Sequence, residues 1–204
     1  MQINIDRKTG VLLAIIVLLS AAVLSLSINR SDNHSMSGST GHMGHGSSSS
    51  NNSKYTGADV MFLQMMIPHH QQAIDISNLA MKVSKDAELL ALAKKIATDQ
   101  AAEITQMKAW LKDAGASEDP GHAMDGMGGM LTDADLAQLK AATGKDFDIL
   151  WLKGMTGHHD GAVQMTMMIE DAKNADIKAF GEKVVVDQSA QIDQMKAMLA
   201  RIQK

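Results

Sequence analysis

The 204-residue chain contains no cysteine. That absence removes disulfides, thiolate metal sites and thiol redox chemistry together. Aromatic residues are scarce, with three Phe, two Trp and one Tyr, and proline occurs twice. The net charge of -4 comes with no basic stripe interleaved with aromatics, which argues against a nucleic-acid partner. Catalytic signatures are missing as well. The chain has no G-x-S-x-G, no His-Glu-x-x-His and no Walker loop. The Glu-x-x-His motif of di-iron bundles is also lacking, because Glu103, Glu170 and Glu88 are followed three residues on by Gln106, Lys173 and Ala91. The expectation is a protein that is not an enzyme.

Methionine is what the chain has in excess, at 17 residues. The second half is dominated by Ala, Leu, Ile, Lys, Gln and Met, which favour helix, so the fold class is all-α. The amino end carries Arg7 and Lys8, followed by an uncharged run from Val11 to Ile28. Residues 1–28 therefore read as a membrane anchor or a signal segment, with Ser25-Leu26-Ser27 as the cleavage site in the second case. In either case the basic flank stays inside and the rest lies beyond the cytoplasmic membrane. Residues 29–57 form a linker rich in Ser, Gly and Asn that carries Met36, His42, Met43 and His45.

The folded domain, residues 58–204, repeats itself. Met65-Met66-Ile67-Pro68-His69-His70 returns 89 residues later as Gly154-Met155-Thr156-Gly157-His158-His159. At that offset Leu63 matches Leu152, Met66 matches Met155, Ala73 matches Ala162 and Ile74 faces Val163. Further along, Asp99-Gln100 matches Asp187-Gln188, Glu103-Ile104 matches Gln191-Ile192, and Gln106-Met107-Lys108 matches Gln194-Met195-Lys196. The unit is a helical hairpin present twice, at 58–114 and 146–203, joined by a Met/His-rich connection at 115–145. Helices are expected over 59–82, 86–113, 146–172 and 176–203. A short helix is expected from the Thr132-Asp133-Ala134-Asp135 cap to about Thr143, stopped by Gly144. One hairpin buries its apolar stripe poorly, so two should pack as a four-helix bundle.

Helical spacing sorts the faces. With His70 as the reference, Leu63, Met66, Ile67, Ala73, Ile74, Ser77 and Met81 share its side, and His69 lies on the flank. Pro68 removes a hydrogen bond to residue 64 and should kink the helix there; Gly157 loosens the second copy at the matching place. The second helix turns Leu89, Leu92, Ile96, Gln100, Glu103, Met107 and Leu111 inward. The bundle interior thus receives His70 and His159, with Met66 and Met155 one turn away, facing Gln100, Glu103, Gln188 and Gln191, and Met107 and Met195 beyond. Buried His and Met also serve plain core packing, and a His70–Glu103 pair also serves helix register. Packing does not account for Met and His in a Gly-Ser linker or for His122, Met124, Met127 and Met130 in the connection. Thioether with imidazole is a donor set for Cu(I) and Ag(I), while Cu(II) suits the His-rich arm.

The paired Met-x-x-His-His motifs at 66–70 and 155–159, each followed by Ala and a β-branched residue, resemble a bacterial family of ferritin-like four-helix proteins long labelled a domain of unknown function. The resemblance covers residues 58–203. It implies a ferritin-like bundle outside the cytoplasm, a role in copper binding or tolerance, and the Met and His residues of the two motifs as ligands. The combined expectation is an extracytoplasmic protein that buffers, sequesters or relays Cu(I). Met66, His70, Met155 and His159 would be ligands and His69 and His158 flanking or exit ligands, with Met107 and Met195 as lesser candidates. Glu103 would hold a histidine tautomer. Expected partners are the metal ion, the membrane through the N-terminal segment, and other copper-handling envelope proteins. The competing expectations are a ferritin-like metal oxidase and a metal-independent envelope protein.

Overall fold

The computed structural model describes residues 54–119 and 128–204. The anchor or signal segment, the linker with His42, Met43 and His45, and His122, Met124 and Met127 of the connection lie outside the described residues. Among the described residues all regular structure is helical, and no helix is long and apolar enough to cross a membrane.

Helix α1 spans Gly57–Val83 and α2 spans Ala87–Asp113. The short α3 is Asp133–Ala141, α4 is Gly144–Met165, and α5 is Ala175–Ile202. Each start except that of α4 is fixed by a polar cap. Thr56 and Asp59 form a reciprocal capping box on α1, and Thr132 and Asp135 form the same on α3. Asp86 accepts from the backbone of Glu88 and Leu89 to open α2, and Asn174 does the equivalent for α5. Gly144 does more than stop α3. It sits at φ 56° and is itself the first residue of α4, so the turn between them is compressed into Ala142–Thr143.

Two expected boundaries shift. The third long helix ends at Met165, not near 172, and tightens into a 3-10 turn over Thr166–Ile169. Thr166 Oγ1 donates back to the Val163 carbonyl at 2.7 Å, and the tighter turn lays Ile169 against Gly181 of α5. The buried stripe of α1 is also rotated from the expected one. Phe62, His69, Ile76 and Ala80 are buried, whereas Ile67 and Ile74 are half-buried and Met81 is exposed. The rotation arises because α1 faces both its hairpin partner and α4, so its apolar face is wider than a single-partner stripe. Helix α1 runs through Pro68, which has no N–H to give to Gln64.

Helices α1 and α2 form one hairpin and α4 and α5 the other, and the hairpins meet chiefly through α1 against α4. The core falls into two apolar clusters at opposite ends. One holds Ile76, Leu89, Ile96, Phe147, Trp151, Leu152, Met155 and Met195. The other holds Phe62, Leu63, Met66, Met107, Leu111, Phe180 and Val184. Each such side chain is worth roughly 1.5–3 kcal/mol on full burial, so these clusters hold the bundle together. Trp151 ties the hairpins, donating its indole N–H to the Ile76 carbonyl at 3.1 Å. The layer between the clusters is polar.

Candidate metal centre

The middle of the bundle is a layer of four histidines, His69 and His70 from α1 and His158 and His159 from α4, all fully buried. Adjacent positions on a helix point about 100° apart, so each pair splits. His70 turns towards α2, where its Nε2 lies 2.9 Å from Glu103 Oε2. His159 turns towards α5, with its Nε2 2.6 Å from Gln191 Oε1. The other two turn to each other across α1 and α4, their ring centroids 3.8 Å apart and their planes tilted by 38°. His69, expected on the flank of the α1 stripe, is instead fully buried. It and His158 form the centre of the layer, because the α1–α4 contact covers that side of both helices.

Burial governs the electrostatics. It pushes His69 down to about 3, reinforced by His70 and opposed by the Gly128 carbonyl. It pushes His159 to about 4 against the hydrogen bond that Gln191 Oε1 accepts from it, and drives His158 well below the usual imidazole range. These three rings are neutral at pH 7. Burial raises Glu103, but hydrogen bonds from His70 and Lys183 outweigh it and hold the carboxyl below its usual range. Lys183 Nζ lies 2.8 Å from Glu103 Oε1 and 2.7 Å from Asp187 Oδ2, so one lysine of the second hairpin pins the carboxylate of the first.

Five imidazole nitrogens in this layer make no hydrogen bond: Nδ1 of all four rings and Nε2 of His158. The His69 backbone weakly opposes the fall in the His158 pKa, without the geometry of a hydrogen bond. Gln100 Oε1, Gln188 Oε1 and Ser77 Oγ are buried and unpaired too. Buried polar atoms without partners are rare in native proteins, and a cluster of them marks a place that a bound ion or ordered water would satisfy. Met66, Met107, Met155 and Met195 are all fully buried in the adjoining apolar clusters. Among the described residues no group of three or more His, Asp or Glu converges as a metal site. A metal held in this layer would therefore draw on thioether as well as imidazole.

The connection closes one side. Gly128 accepts from His69 Nε2 through its carbonyl at 3.2 Å. Gly129, at φ 82°, lies on α4 so closely that a Cβ there would come within 3.0 Å of His158 Cα and overlap the Gly157 carbonyl. A Cβ on Gly161 would overlap the Gly128 carbonyl. Gln72 of α1 holds the next turn with both ends of its amide, accepting from Leu131 N at 2.8 Å and donating to Leu131 O at 3.0 Å. Met130, one of the connection residues that packing was not expected to explain, is half-buried within this strap. Sequence reasoning missed Gln72, Gly128, Gly161 and Lys183. The repeat carried a signal for three of them: position 72 aligns with 161, where Gln becomes Gly, and Lys183 aligns with Lys95.

A family model described as a domain of unknown function, DUF305, matches residues 59–199. The chain belongs to the DUF305 family. A putative secreted DUF305 protein from Streptomyces coelicolor is 31% identical, covering 74% of this chain and 94% of its own, with a TM-score of 0.68. A DUF305 fragment from Deinococcus radiodurans is 30% identical, covering 72% and 98%, with a TM-score of 0.67. CopM in its Cu(I)-bound form is 32% identical, covering 70% and 96%, with a TM-score of 0.60, and CopM is also known in Cu(II)-bound and Ag-bound forms. Comparison with curated protein sequences gives no match.

Proposed function

We propose that this DUF305 protein binds copper(I) in the histidine layer of its bundle and buffers, sequesters or relays it outside the cytoplasm. The observation that carries the reading is the set of five unpartnered ring nitrogens on four fully buried histidines, bordered by four fully buried methionines. Neutral imidazole and thioether suit a soft monovalent ion, for which Ag(I) is the natural mimic. The copper- and silver-bound forms of CopM support the same choice. Met66, His70, Met107, Met155, His159 and Met195 are the ligands in this reading, His69 and His158 face each other in the same layer, and Glu103 orients His70. The Met and His residues of the linker and connection would be weaker collectors, since flexible ligands lose ordering entropy on binding. Export rests on the N-terminal segment and on the secreted relative.

The protein is not an enzyme in this reading. A ferritin-like oxidase would need a carboxylate-rich pair of metal positions. Glu103 is the acidic side chain seen bonded to the histidine layer, and it is already held by Lys183.

A Cu(I) titration of the full chain against a chromophoric chelator, beside the His70→Ala/His159→Ala double variant, tests the proposal. The tight steps should vanish in the variant, leaving weak binding by the flexible tracts. Equal binding in both proteins would return the layer to core packing.

A further inference from the structure

The two hairpins supply the same donors at matched positions, but the surroundings of those donors differ. Met66, His70 and Met107 come from the first, and Met155, His159 and Met195 from the second. Met66 and Met107 sit in one apolar cluster, whereas Met155 and Met195 sit in the other, on the far side of the histidine layer. The donors therefore divide into two groups, and His69 and His158, their rings 3.8 Å apart and tilted by 38°, belong to neither.

Behind His70 stands a carboxylate, and behind His159 an amide. A carboxylate only accepts, so His70 must donate from Nε2, which leaves the unpartnered Nδ1 as the ring nitrogen that can offer a lone pair to a metal. Gln191 accepts through Oε1 as placed, but an amide turned over donates instead, and the His159 proton then moves to Nδ1. Capture of a metal at Nδ1 requires the first tautomer. A carboxylate partner also raises the donor strength of an imidazole. Lys183 holds the second oxygen of Glu103. Its counterpart Lys95 pairs with Asp99, and the neutral Gln191 gives it no charge to hold.

Resting on the copper reading above, we propose that the bundle holds two soft-metal sites of unequal strength, one per hairpin, and that Glu103 against Gln191 sets their order of filling. The Glu103 site fills first. Glu103 and Gln191 are positioning residues that act through the imidazoles.

The test uses the full chain. Cu(I) titrations against a chromophoric chelator are run on the wild type, E103Q and Q191E, with H70A and H159A assigning the steps. Long-range proton–nitrogen spectra of the metal-free proteins read the tautomers of His70 and His159. In the wild type two steps should differ by about 10–100-fold, the usual effect of a ligand's hydrogen-bond partner. E103Q should weaken the first step by about tenfold or more and admit the Nδ1–H form at His70. Q191E should tighten the second step and fix His159 as Nε2–H. Because Q191E leaves the first hairpin intact, it decides the matter even if E103Q folds poorly. Tight copper binding in a single step, or in two steps that neither variant moves, overturns this inference and leaves the copper reading standing. Absence of any tight step in every protein overturns both.

Discussion

At position 72 the first hairpin has a glutamine that reaches out and grips the connection by Leu131. At the matching position 161 the second hairpin has a glycine that yields, letting the Gly128 carbonyl rest on the helix backbone. The same contrast recurs two turns earlier, where Met65 of α1 corresponds to Gly154 of α4, against which Leu131 packs. One hairpin holds the strap and the other is cut back to receive it. The hairpins differ again in the interior, where Glu103 backs one histidine and Gln191 the other. Duplication supplied a symmetric frame, and a few side chains make its halves unequal.

The strongest way to probe the comparison is acid. His69 at about 3, His159 at about 4 and His158, driven well below the usual imidazole range by burial, are neutral when folded, whereas an unfolded imidazole titrates near 6.5. Folded values below unfolded ones mean stability that is full above about pH 6.5 and lost as pH falls towards 4. Between pH 7 and pH 5 each buried ring should cost at most about 2 kcal/mol, so the metal-free protein should lose several kcal/mol in urea unfolding. Replacing His69 or His159 by Gln should each flatten the slope by about one proton. A slope carried wholly by one hairpin would break the comparison.

Substitutions at the strap come next. Gly161→Ala should destabilise by about 1–3 kcal/mol, because the added methyl meets backbone and not the movable end of a side chain. Gln72→Ala removes two hydrogen bonds to Leu131 and should cost about 1–2 kcal/mol. Urea midpoints that fall for one but not the other would show that only one hairpin carries the strap. The smallest effect is expected at Gly157, where a Cβ meets nothing. Gly157→Ala should raise stability by about 0.5–1 kcal/mol in the same assay, the ordinary helical gain over glycine. A loss there would mean that the looseness shared with Pro68 is needed.

Much of this was legible in the chain. The offset of 88 to 89 residues gave the hairpins, and helical spacing gave the inward places of His70, His159, Gln100, Gln188, Met107 and Met195. What spacing misplaced was His69. A one-dimensional pattern finds the centre of a stripe but not its width, and α1 is wide because it serves two neighbours. The 3-10 turn after Met165 was hidden because Thr166–Ile169 has no breaker, and the turn is set by contact with Gly181. The grip of Lys183 on Glu103 spans hairpins and leaves no local trace. The conversion of Gln72 into Gly161 was visible, but its meaning needed the path of the connection.

The two tryptophans occupy opposite environments. Trp151 is sealed in the core with its indole bonded to the Ile76 carbonyl, while Trp110 lies partly exposed near the end of α2. Since the Trp151 bond runs from one hairpin to the other, its fluorescence is a native gauge of whether the halves are docked. Parting them would hydrate that indole and shift its emission to the red, and Trp110, whose ring meets Phe180 of α5 edge-on at 5.4 Å, would lose its own contact across the hairpins in the same step.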